Sequence, residues 1–394
     1  MRLVEAGGLR EVDLKLEEYI NALGDLISTW RAPLIHARGN IVVDEDVVVY
    51  KALREFKVKY IPVADREDER GEVPLDLLDP FYNVRCSDAR VYDSLAELVA
   101  LDNPTPLVRL KLLEDQGVRV WAKLEWYHPF SLSIKDRVAW YMLQRLLEKN
   151  IKPSVVYEPS STNTGLALAG LGNYYGIKTR VYLPSTAQRC IEYVFQAMGA
   201  EVRRESTPIT TGMLGKVILE ASRDNATVLN QFENDYNFLV HLSYTAKEID
   251  YQLARKNVKP NAIVSGLGTS GHLSALSFYF KKRYKNIKVI GVQPAQDSSI
   301  PGLRRVETGV KWLHMVEVDG IIDVTLEEAL EGMLRVARSD GVLPGFSAGA
   351  VVHALVKLAE EGLVRGDVVV VFPDHGTKYT ELLETLVARE CVES

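Results

Sequence analysis

The chain contains a strand, a loop and a helix in succession, beginning with Val118-Arg-Val-Trp-Ala-Lys-Leu124. This segment alternates between apolar and polar residues, as a strand does, and residues 136–149 then carry apolar side chains at helical spacing. Short runs of β-branched residues, separated mostly by helical stretches, recur at 155–157, 179–183, 226–229, 262–264, 287–292 and 367–372. Short apolar strands between helices are typical of parallel sheets covered on both faces. The sequence therefore predicts an α/β fold with two doubly wound, open, twisted sheets.

The first hundred residues follow a different pattern. Residues 13–30 carry apolar side chains near helical spacing, and residues 40–50 and 57–64 are rich in Val, Ile and Tyr and predict strands. The charged run 65–70 predicts a solvated loop. We therefore predict an amino-terminal α/β extension over residues 1–99, followed by two larger domains over residues 100–245 and 246–394.

Composition excludes several classes of protein. The 394 residues include 47 Lys and Arg and 53 Asp and Glu, a formal net charge of −6 with both signs scattered along the chain, so no basic footprint for nucleic acid appears. The longest apolar runs have strand length, far short of a membrane span. Residues 1–10 lack the apolar core of a secretory signal, and the three cysteines show no zinc-binding spacing. We therefore expect a cytoplasmic protein that binds no nucleic acid, membrane or structural metal.

One lysine occupies an electrostatically unusual place. Lys135 follows Ser131 and Ser133 in a loop and stands immediately before a predicted helix. The positive end of the helix dipole disfavours the charged amine and helps to lower its pKa. Because the neutral amine is the nucleophilic form, Lys135 is a candidate nucleophile; the alternative is an ordinary surface lysine.

Two further loops each follow a strand and open a helix. The first, Tyr157-Glu-Pro-Ser-Ser-Thr-Asn-Thr-Gly165, offers hydroxyls and backbone amides that suit a carboxylate, although such residues also simply cap helices. The second, Val264-Ser-Gly-Leu-Gly-Thr-Ser-Gly-His272, has glycines that let backbone amides surround a phosphate. It has neither the acidic residue of a dinucleotide site nor the lysine motif of a triphosphate site. This pattern predicts a phosphate without its nucleotide.

A lysine amine, a carboxylate loop and a phosphate loop together indicate pyridoxal 5'-phosphate, bound as a Schiff base, with an amino acid as substrate. The chain resembles the fold type II pyridoxal-phosphate family of cysteine synthases and cystathionine β-synthases over roughly residues 100 to 390. The shared motifs, in the family's order, are Ser133-Ile-Lys-Asp-Arg137, a Glu-Pro-x-x-x-Asn-Thr-Gly loop at residues 158–165, Asn230-Gln-Phe232, a Gly-Thr-x-Gly loop at residues 268–271 and Phe-Pro-Asp-x-Gly at residues 372–376, where x is a variable position. Segments 124–133, 265–272 and 293–309, with the amino-terminal extension, most resemble the branch that acts on O-phosphoserine.

The resemblance implies roles for individual residues. Lys135 would bind the cofactor covalently, Asn163 would hydrogen-bond the pyridine hydroxyl oxygen, and His375 would lie at the pyridine nitrogen. The residues implied for the cofactor phosphate are Gly268, Thr269, Ser270, Gly271 and His272. Those implied for the substrate are Ser160, Ser161, Thr162, Thr164, Gln231 and Phe232, the first five at its carboxylate.

Three of the implied positions need comment. Arg304 or Arg305 would bind a substrate phosphate, because guanidinium groups pair well with phosphate oxygens; the alternative is a surface salt-bridge cluster. The family often has glycine in place of Thr162, and it has serine or threonine in place of His375. The histidine would either leave the pyridine nitrogen largely unprotonated or, if charged, make the ring a stronger electron acceptor.

The implied activity is a β-replacement. Substrate displaces Lys135 from the cofactor, and the freed lysine removes the Cα proton as general base. The β-substituent then leaves to give an aminoacrylate, to which sulfide adds to form L-cysteine. The expected substrate is O-phospho-L-serine, with O-acetyl-L-serine as an alternative, and we expect a homodimer. The residues also leave open a cystathionine β-synthase, a threonine synthase-like enzyme and a cofactor-binding relative without turnover.

Overall fold

The computed structural model describes residues 1–78, 91–99 and 103–393. The predicted boundary between residues 99 and 100 therefore meets a stretch outside the described residues. We refer to residues 1–78 as the amino-terminal unit. Its elements are β1 (Arg2–Glu5), α1 (Leu16–Thr29), β2 (Arg31–Pro33), β3 (Ala37–Arg38), β4 (Ile41–Val42), α2 (Val47–Glu55), β5 (Tyr60–Val63) and β6 (Glu72–Pro74). The strands form three antiparallel pairs, β1 with β5, β2 with β6 and β3 with β4.

The helix predicted over residues 13–30 and the strand predicted over 57–64 are confirmed by α1 and β5, but the strand predicted over 40–50 is wrong. Only Ile41–Val42 is extended there, and Val47–Glu55 forms α2. Tyr50 and Leu53, three residues apart, are fully buried on one face of this helix. Three acidic residues, 44–46, precede it, where the positive end of the helix dipole favours them. Burial of a helical face thus outweighs the strand preference of consecutive valines.

The remaining chain alternates strands with helices. Its strands are β7 (Leu107–Arg109), β8 (Val118–Leu124), β9 (Val155–Pro159), β10 (Lys178–Leu183), β11 (Glu201–Arg204), β12 (Thr227–Val228), β13 (Ala262–Gly266), β14 (Lys288–Pro294), β15 (Gly320–Val324) and β16 (Gly366–Phe372). Its α-helices are α3 (Lys135–Glu148), α4 (Asn163–Tyr175), α5 (Ile191–Ala197), α6 (Leu214–Arg223), α7 (Tyr236–Val240), α8 (Lys247–Ala254), α9 (Gly271–Arg283), α10 (Leu326–Asp340), α11 (Phe346–Glu360) and α12 (Thr380–Glu393). Between α7 and α8 lies a π-helix, His241–Ala246.

These strands form the two open sheets that the sequence predicts. A parallel four-stranded sheet has the order β11-β10-β9-β12, and a six-stranded sheet has the order β15-β14-β13-β16-β8-β7. The larger sheet is parallel except for its edge strand β7. It takes β7 and β8 from before residue 245 and its other strands from after it. The division of the chain at residue 245 stays a prediction.

The sheets bring four loops to one region. The loops that follow β8, β9, β13 and β16 lead from the carboxyl ends of parallel strands, where α/β proteins bind ligands. The amino-terminal unit packs onto this body: Phe56, fully buried, stacks with Tyr279 of α9 at a ring-centroid distance of 6.5 Å. No helix within the described residues is both long and apolar enough to cross a membrane.

Candidate active site

Lys135 is the first residue of α3, and the loop before it is held rigidly. The Asp136 carboxylate accepts hydrogen bonds from the backbone N–H groups of Phe130 at 2.7 Å and Ser131 at 2.8 Å. The backbone N–H of Ile134 donates to the carbonyl of Pro373 at 2.9 Å, next to the end of β16. The lysine therefore has a fixed position between the carboxyl ends of β8 and β16.

The environment of Lys135 favours its neutral form. Burial lowers the pKa of Lys135 to about 8, although the carboxylates of Asp374 and Glu125 oppose this shift. Burial is therefore the largest cause of the shift, where the sequence pattern suggested the helix dipole. A substantial fraction of the amine is neutral near pH 8, as a nucleophile and general base requires.

A buried ionic network lies beside this lysine. Arg137 donates to Glu125 at 2.6 Å and, through two nitrogens, to Glu248, also at 2.6 Å. Lys123 at the end of β8 donates to the same Glu248 at 2.8 Å. These four side chains, here called the ionic network, are at most 1% exposed, and they join β8, α3 and α8. The sequence analysis did not predict this ionic network, although residues 123–137 contain the oppositely charged Lys123, Glu125 and Arg137.

The predicted carboxylate loop joins β9 to α4. Its residues differ in how far their side chains are exposed. The Ser160 hydroxyl accepts the backbone N–H of Gly165 at 2.9 Å, and the Thr164 hydroxyl donates to the Gln231 side chain at 2.7 Å. Thr162 is largely buried at the start of the helix, whereas Ser161 is exposed. The structure thus brings Gln231 to the loop, and the role in carboxylate binding that the resemblance implies for it stays a prediction.

Glu158 explains how Gln231 reaches the loop. Its buried carboxylate accepts the backbone N–H groups of Asn230 at 2.9 Å and Gln231 at 3.0 Å. Burial raises the pKa of Glu158 to about 7, against the effect of these hydrogen bonds. Phe232, the next residue, is largely buried beside them.

Asn163 is held by the segment that follows β16. Its amide nitrogen donates to Asp374 at 2.7 Å, and its amide oxygen accepts from the ammonium of Lys378 at 2.8 Å. Lys378 also donates to the carbonyl of Leu132, which lies in the loop before Lys135. Asp374 and Lys378 were not identified from the sequence, since only contacts across more than 200 residues reveal them.

The predicted phosphate loop has the shape of a backbone cradle. Ser270 has φ +73° and directly precedes α9, so the loop turns sharply into the helix amino terminus. A Cβ on Gly268 would lie 2.6 Å from the carbonyl oxygen of Gly302, and one on Gly271 would lie 2.3 Å from the side-chain oxygen of Asn237. Both positions therefore require glycine, and the exposed helical amides suit an anionic phosphate.

Two side chains complete this loop. The Thr269 hydroxyl accepts a hydrogen bond from Asn237 at 2.8 Å, and one ring nitrogen of His272 lies 2.9 Å from the Ser265 hydroxyl. Burial lowers the pKa of His272 to about 3, so the ring is neutral at pH 7. Together with the cradle and the partly buried Lys135, these residues fit a phosphorylated aldehyde cofactor.

The two arginines lie in different environments. Arg305 is engaged by Asp323 at 2.9 Å, Glu307 at 3.0 Å and the carbonyl of Pro294 at 2.7 Å, which is a salt-bridge cluster. The backbone of Arg304 is tied to the phosphate loop, because its N–H donates to Leu267 at 2.7 Å. Its guanidinium lies 5.1 Å from the centroid of the Phe232 ring, and its Nη2 donates to the backbone carbonyls of Thr308 at 3.1 Å and Gly309 at 3.2 Å. Its buried Nε has no hydrogen-bond partner among the described residues.

His375 is bonded within its own turn. Its Nδ1 lies 3.0 Å from the Thr377 hydroxyl and accepts the backbone N–H of Thr377 at 3.3 Å. The ring lies edge-on to Trp126, with centroids 5.4 Å apart. Burial lowers the pKa of His375, which favours the neutral ring, although Asp374 opposes this shift. A neutral ring would correspond to the first of the two alternatives considered for this position, a largely unprotonated pyridine nitrogen, and the contact of His375 with the cofactor stays a prediction.

The fold and the site define a class of α/β enzyme that uses a phosphorylated cofactor on a lysine. The family model described as "Pyridoxal-phosphate dependent enzyme" matches residues 100–374. A cysteine synthase of Staphylococcus aureus is 32% identical over 290 residues, which cover 70% of this chain and 92% of that protein. The chain therefore belongs to the pyridoxal-phosphate-dependent enzymes of the cysteine synthase type.

Solved structures agree with this assignment. A hydrogen sulfide-producing enzyme from Fusobacterium nucleatum is 28% identical with a TM-score of 0.65, over 73% of this chain and 98% of that one. An O-acetyl serine sulfhydrylase, isoform 3, from Entamoeba histolytica is 27% identical with a TM-score of 0.63, over 75% of this chain and 92% of that one. The predicted fold type II architecture and the predicted cofactor, pyridoxal 5'-phosphate, are confirmed.

Proposed function

We propose that this chain is an O-phosphoserine sulfhydrylase, like the archaeal enzymes that its motifs resemble most. It would convert O-phospho-L-serine and hydrogen sulfide into L-cysteine and hydrogen phosphate. The observation that carries this proposal is the position of Arg304. Its backbone is bonded to Leu267 of the phosphate loop, and its half-buried guanidinium lies over the Phe232 ring. Its Nε is buried without a partner in the described structure, and a substrate phosphate would supply one.

The residues of the chain divide the work of this reaction. Pyridoxal phosphate, when bound, draws electrons away from the bonds at the substrate Cα. Lys135 takes the Cα proton, while Ser160, Thr164 and Gln231 orient the substrate carboxylate. The Cβ–O bond then breaks, the phosphate leaves with the electron pair, and Arg304 stabilises its charge. Sulfide forms the new Cβ–S bond, and Lys135 returns the proton to Cα.

Arg305 has a different part in this proposal. Its guanidinium is already paired with Asp323 and Glu307, so it would fix the segment that carries Arg304. A substrate phosphate would have to displace two carboxylates to reach it, whereas the hydrogen-bond partners of the Arg304 guanidinium in the described structure are the neutral carbonyls of Thr308 and Gly309. We therefore assign the phosphate contact to Arg304.

O-acetyl-L-serine is the second candidate substrate. The Entamoeba histolytica structure of the same fold is named for that substrate. An acetyl ester carries no charge at its acyl group, so it would gain little from Arg304. We propose that the chain accepts it less well than O-phosphoserine.

A direct comparison of the two substrates tests this function. The purified holoenzyme is mixed with sulfide and either substrate, and both L-cysteine and the released phosphate or acetate are measured. A higher kcat/KM for O-phosphoserine, with one phosphate released for each cysteine, supports the proposal. Turnover of O-acetylserine alone would replace it with an O-acetylserine sulfhydrylase. The expected homodimer and cytoplasmic location stay predictions.

A further inference from the structure

The π-helix His241–Ala246 lies between the amino-terminal unit and the phosphate loop. A π-helix is rare and commonly marks a functional position. All six of its residues are buried. Its side chains connect in two directions, which makes it a structural link between two parts of the chain that are distant in sequence.

One direction leads to the end of α2 in the amino-terminal unit. The Ser243 hydroxyl donates to the backbone carbonyl of Glu55, and the ammonium of Lys247, directly after the π-helix, donates to the carbonyl of Phe56 at 2.9 Å. Lys247 also lies 4.4 Å from the centroid of the Phe56 ring. These contacts satisfy the last carbonyls of α2, which have no partner inside their own helix.

The same end of α2 is also fixed to α3, the helix that begins at Lys135. The side chain of Glu55 is fully buried and pairs with Lys51 at 3.0 Å and with Arg145 of α3. It also accepts the hydroxyl of Tyr141 at 3.2 Å. The carbonyls that hold the π-helix therefore belong to a rigid helix end.

The other direction leads to the phosphate loop. Asn237 and His241 are four residues apart, so they lie on one side of the α7 and π-helix segment. Asn237 donates to the Thr269 hydroxyl at 2.8 Å and to the carbonyl of Gln231 at 2.7 Å. The His241 ring packs edge-on against His272, with centroids 5.8 Å apart.

His241 has one unsatisfied ring nitrogen. Its Nδ1 lies 3.0 Å from the Thr245 hydroxyl, whereas its Nε2 is fully buried with no partner in the described part of the chain. A buried nitrogen of this kind is costly unless it finds a hydrogen bond. The ring lies against His272 of the phosphate loop, and the charge of Lys135 is close enough to act on it.

We propose that the amino-terminal unit fixes His241 through Ser243 and Lys247, and that His241 is a positioning residue that holds the phosphate loop for the cofactor. The proposal rests on the assignment of residues 268–272 to the cofactor phosphate, and not on the identity of the substrate. It gives the amino-terminal unit a function in cofactor retention, although no residue of that unit lies in the catalytic loops.

Cofactor affinity tests this link without reference to turnover. We would strip the holoenzyme of pyridoxal phosphate and measure its dissociation constant by titration, following absorbance and the phosphorus NMR signal of the bound cofactor. Ser243→Ala and Lys247→Met should each weaken binding by roughly threefold to tenfold, as expected for one lost hydrogen bond. The matched control is Ser277→Ala, because Ser277 on α9 is also buried and donates to a backbone carbonyl, that of Glu317. The control should bind the cofactor as the unmodified protein does.

A double-mutant cycle separates this link from general destabilisation. His241→Leu should weaken cofactor binding by about tenfold and shift the phosphorus signal, and His241→Asn, which keeps a donor, should restore part of the affinity. In the His241→Leu background, Ser243→Ala should have no further effect on cofactor affinity. Equal effects of Ser243→Ala in both backgrounds, or an unchanged dissociation constant in Ser243→Ala, would overturn the proposal. Neither outcome bears on whether O-phosphoserine is the substrate.

Discussion

The amide nitrogen of Asn163 donates a hydrogen bond to the buried carboxylate of Asp374, 2.7 Å away. The same carboxylate oxygen accepts the hydroxyl of Tyr379 at 2.5 Å. Asp374 therefore orients the amide that is expected to face the cofactor. Its charge also raises the pKa of Lys135 against the effect of burial, so one residue acts on two functional groups.

Asp374→Asn should move the pKa of Lys135 below its value of about 8, because burial is then opposed by Glu125 alone among the named causes. The measurement is the rate of pyridoxal phosphate incorporation into the apoprotein as a function of pH, since only the neutral amine attacks the aldehyde. The midpoint of this profile should shift to lower pH. Tyr379→Phe removes a bond to the same carboxylate but keeps its charge, and it should leave the midpoint in place. A midpoint that rises or stays fixed in Asp374→Asn would contradict this account.

Lys135→Ala should reduce turnover by orders of magnitude while the protein stays folded. The side chain is only partly buried and forms none of the contacts that hold its loop, which come from Asp136 and Ile134. Borohydride reduction of the holoenzyme followed by peptide mapping should place the pyridoxyl group on Lys135. The control is Lys216→Ala, because the side chain of Lys216 is exposed. Lys123 is unsuitable for this purpose because it belongs to the ionic network. Labelling of a different lysine would refute the assignment.

Much of the fold could be predicted from local patterns. Strand β8 begins and ends at the residues that the alternation of Val118 to Leu124 indicates, and α3 follows within one residue of its predicted start. The prediction was wrong over residues 40–50, because three valines favour a strand locally, while burial of Tyr50 and Leu53 against the rest of the protein selects a helix. Tertiary packing of this kind is not visible in a short window of sequence.

The site shows the same division. Lys135, Asn163 and the loop of residues 268–272 could be selected as candidates because each lies within a short motif at a strand end, and their roles stay predictions. Asp374 and Lys378 could not be linked to Asn163, since the contacts join segments more than 200 residues apart. His241 was missed because its significance depends on the π-helix, which turns it toward His272.

Arg137→Met should destabilise the fold by ~3–5 kcal/mol, because it leaves Glu125 and Glu248 buried without their main partner. The free energy of unfolding in urea measures this loss. Arg119→Met is the matched control: Arg119 pairs with Asp367 but its side chain is 49% exposed, so the loss should be at most ~1 kcal/mol. A loss of at most ~1 kcal/mol for Arg137→Met, no larger than that of the control, would show that the ionic network contributes little.

The same network predicts a pH dependence. Arg137 holds the pKa of Glu125 well below its ordinary value of 4.5, although burial acts in the opposite direction. A carboxyl whose pKa is depressed in the folded state stabilises the protein above its unfolded pKa, and this contribution is lost as the pH falls toward the folded pKa. The stability difference between the unmodified protein and Arg137→Met should therefore be largest near pH 7 and should shrink below about pH 4.5. The free energies of unfolding of both proteins would be measured in urea at pH 7, 5 and 4. A difference between them that stays constant over this range would contradict the prediction.

Arg304→Ala should reduce kcat/KM for O-phosphoserine by about tenfold to a hundredfold, because one charge-assisted contact to phosphate is worth roughly 1.5–3 kcal/mol. Turnover of O-acetylserine should change little, since both substrates share the carboxylate loop and Lys135. The ratio of the two kcat/KM values therefore isolates the phosphate contact from any general damage to the site. Arg305→Ala is the matched control: its guanidinium is engaged by Asp323 and Glu307, so its loss should lower both substrates in equal proportion through the segment it holds. If Arg304→Ala also lowered both substrates equally, Arg304 would be a structural residue, and the assignment of O-phosphoserine would lose its main physical support.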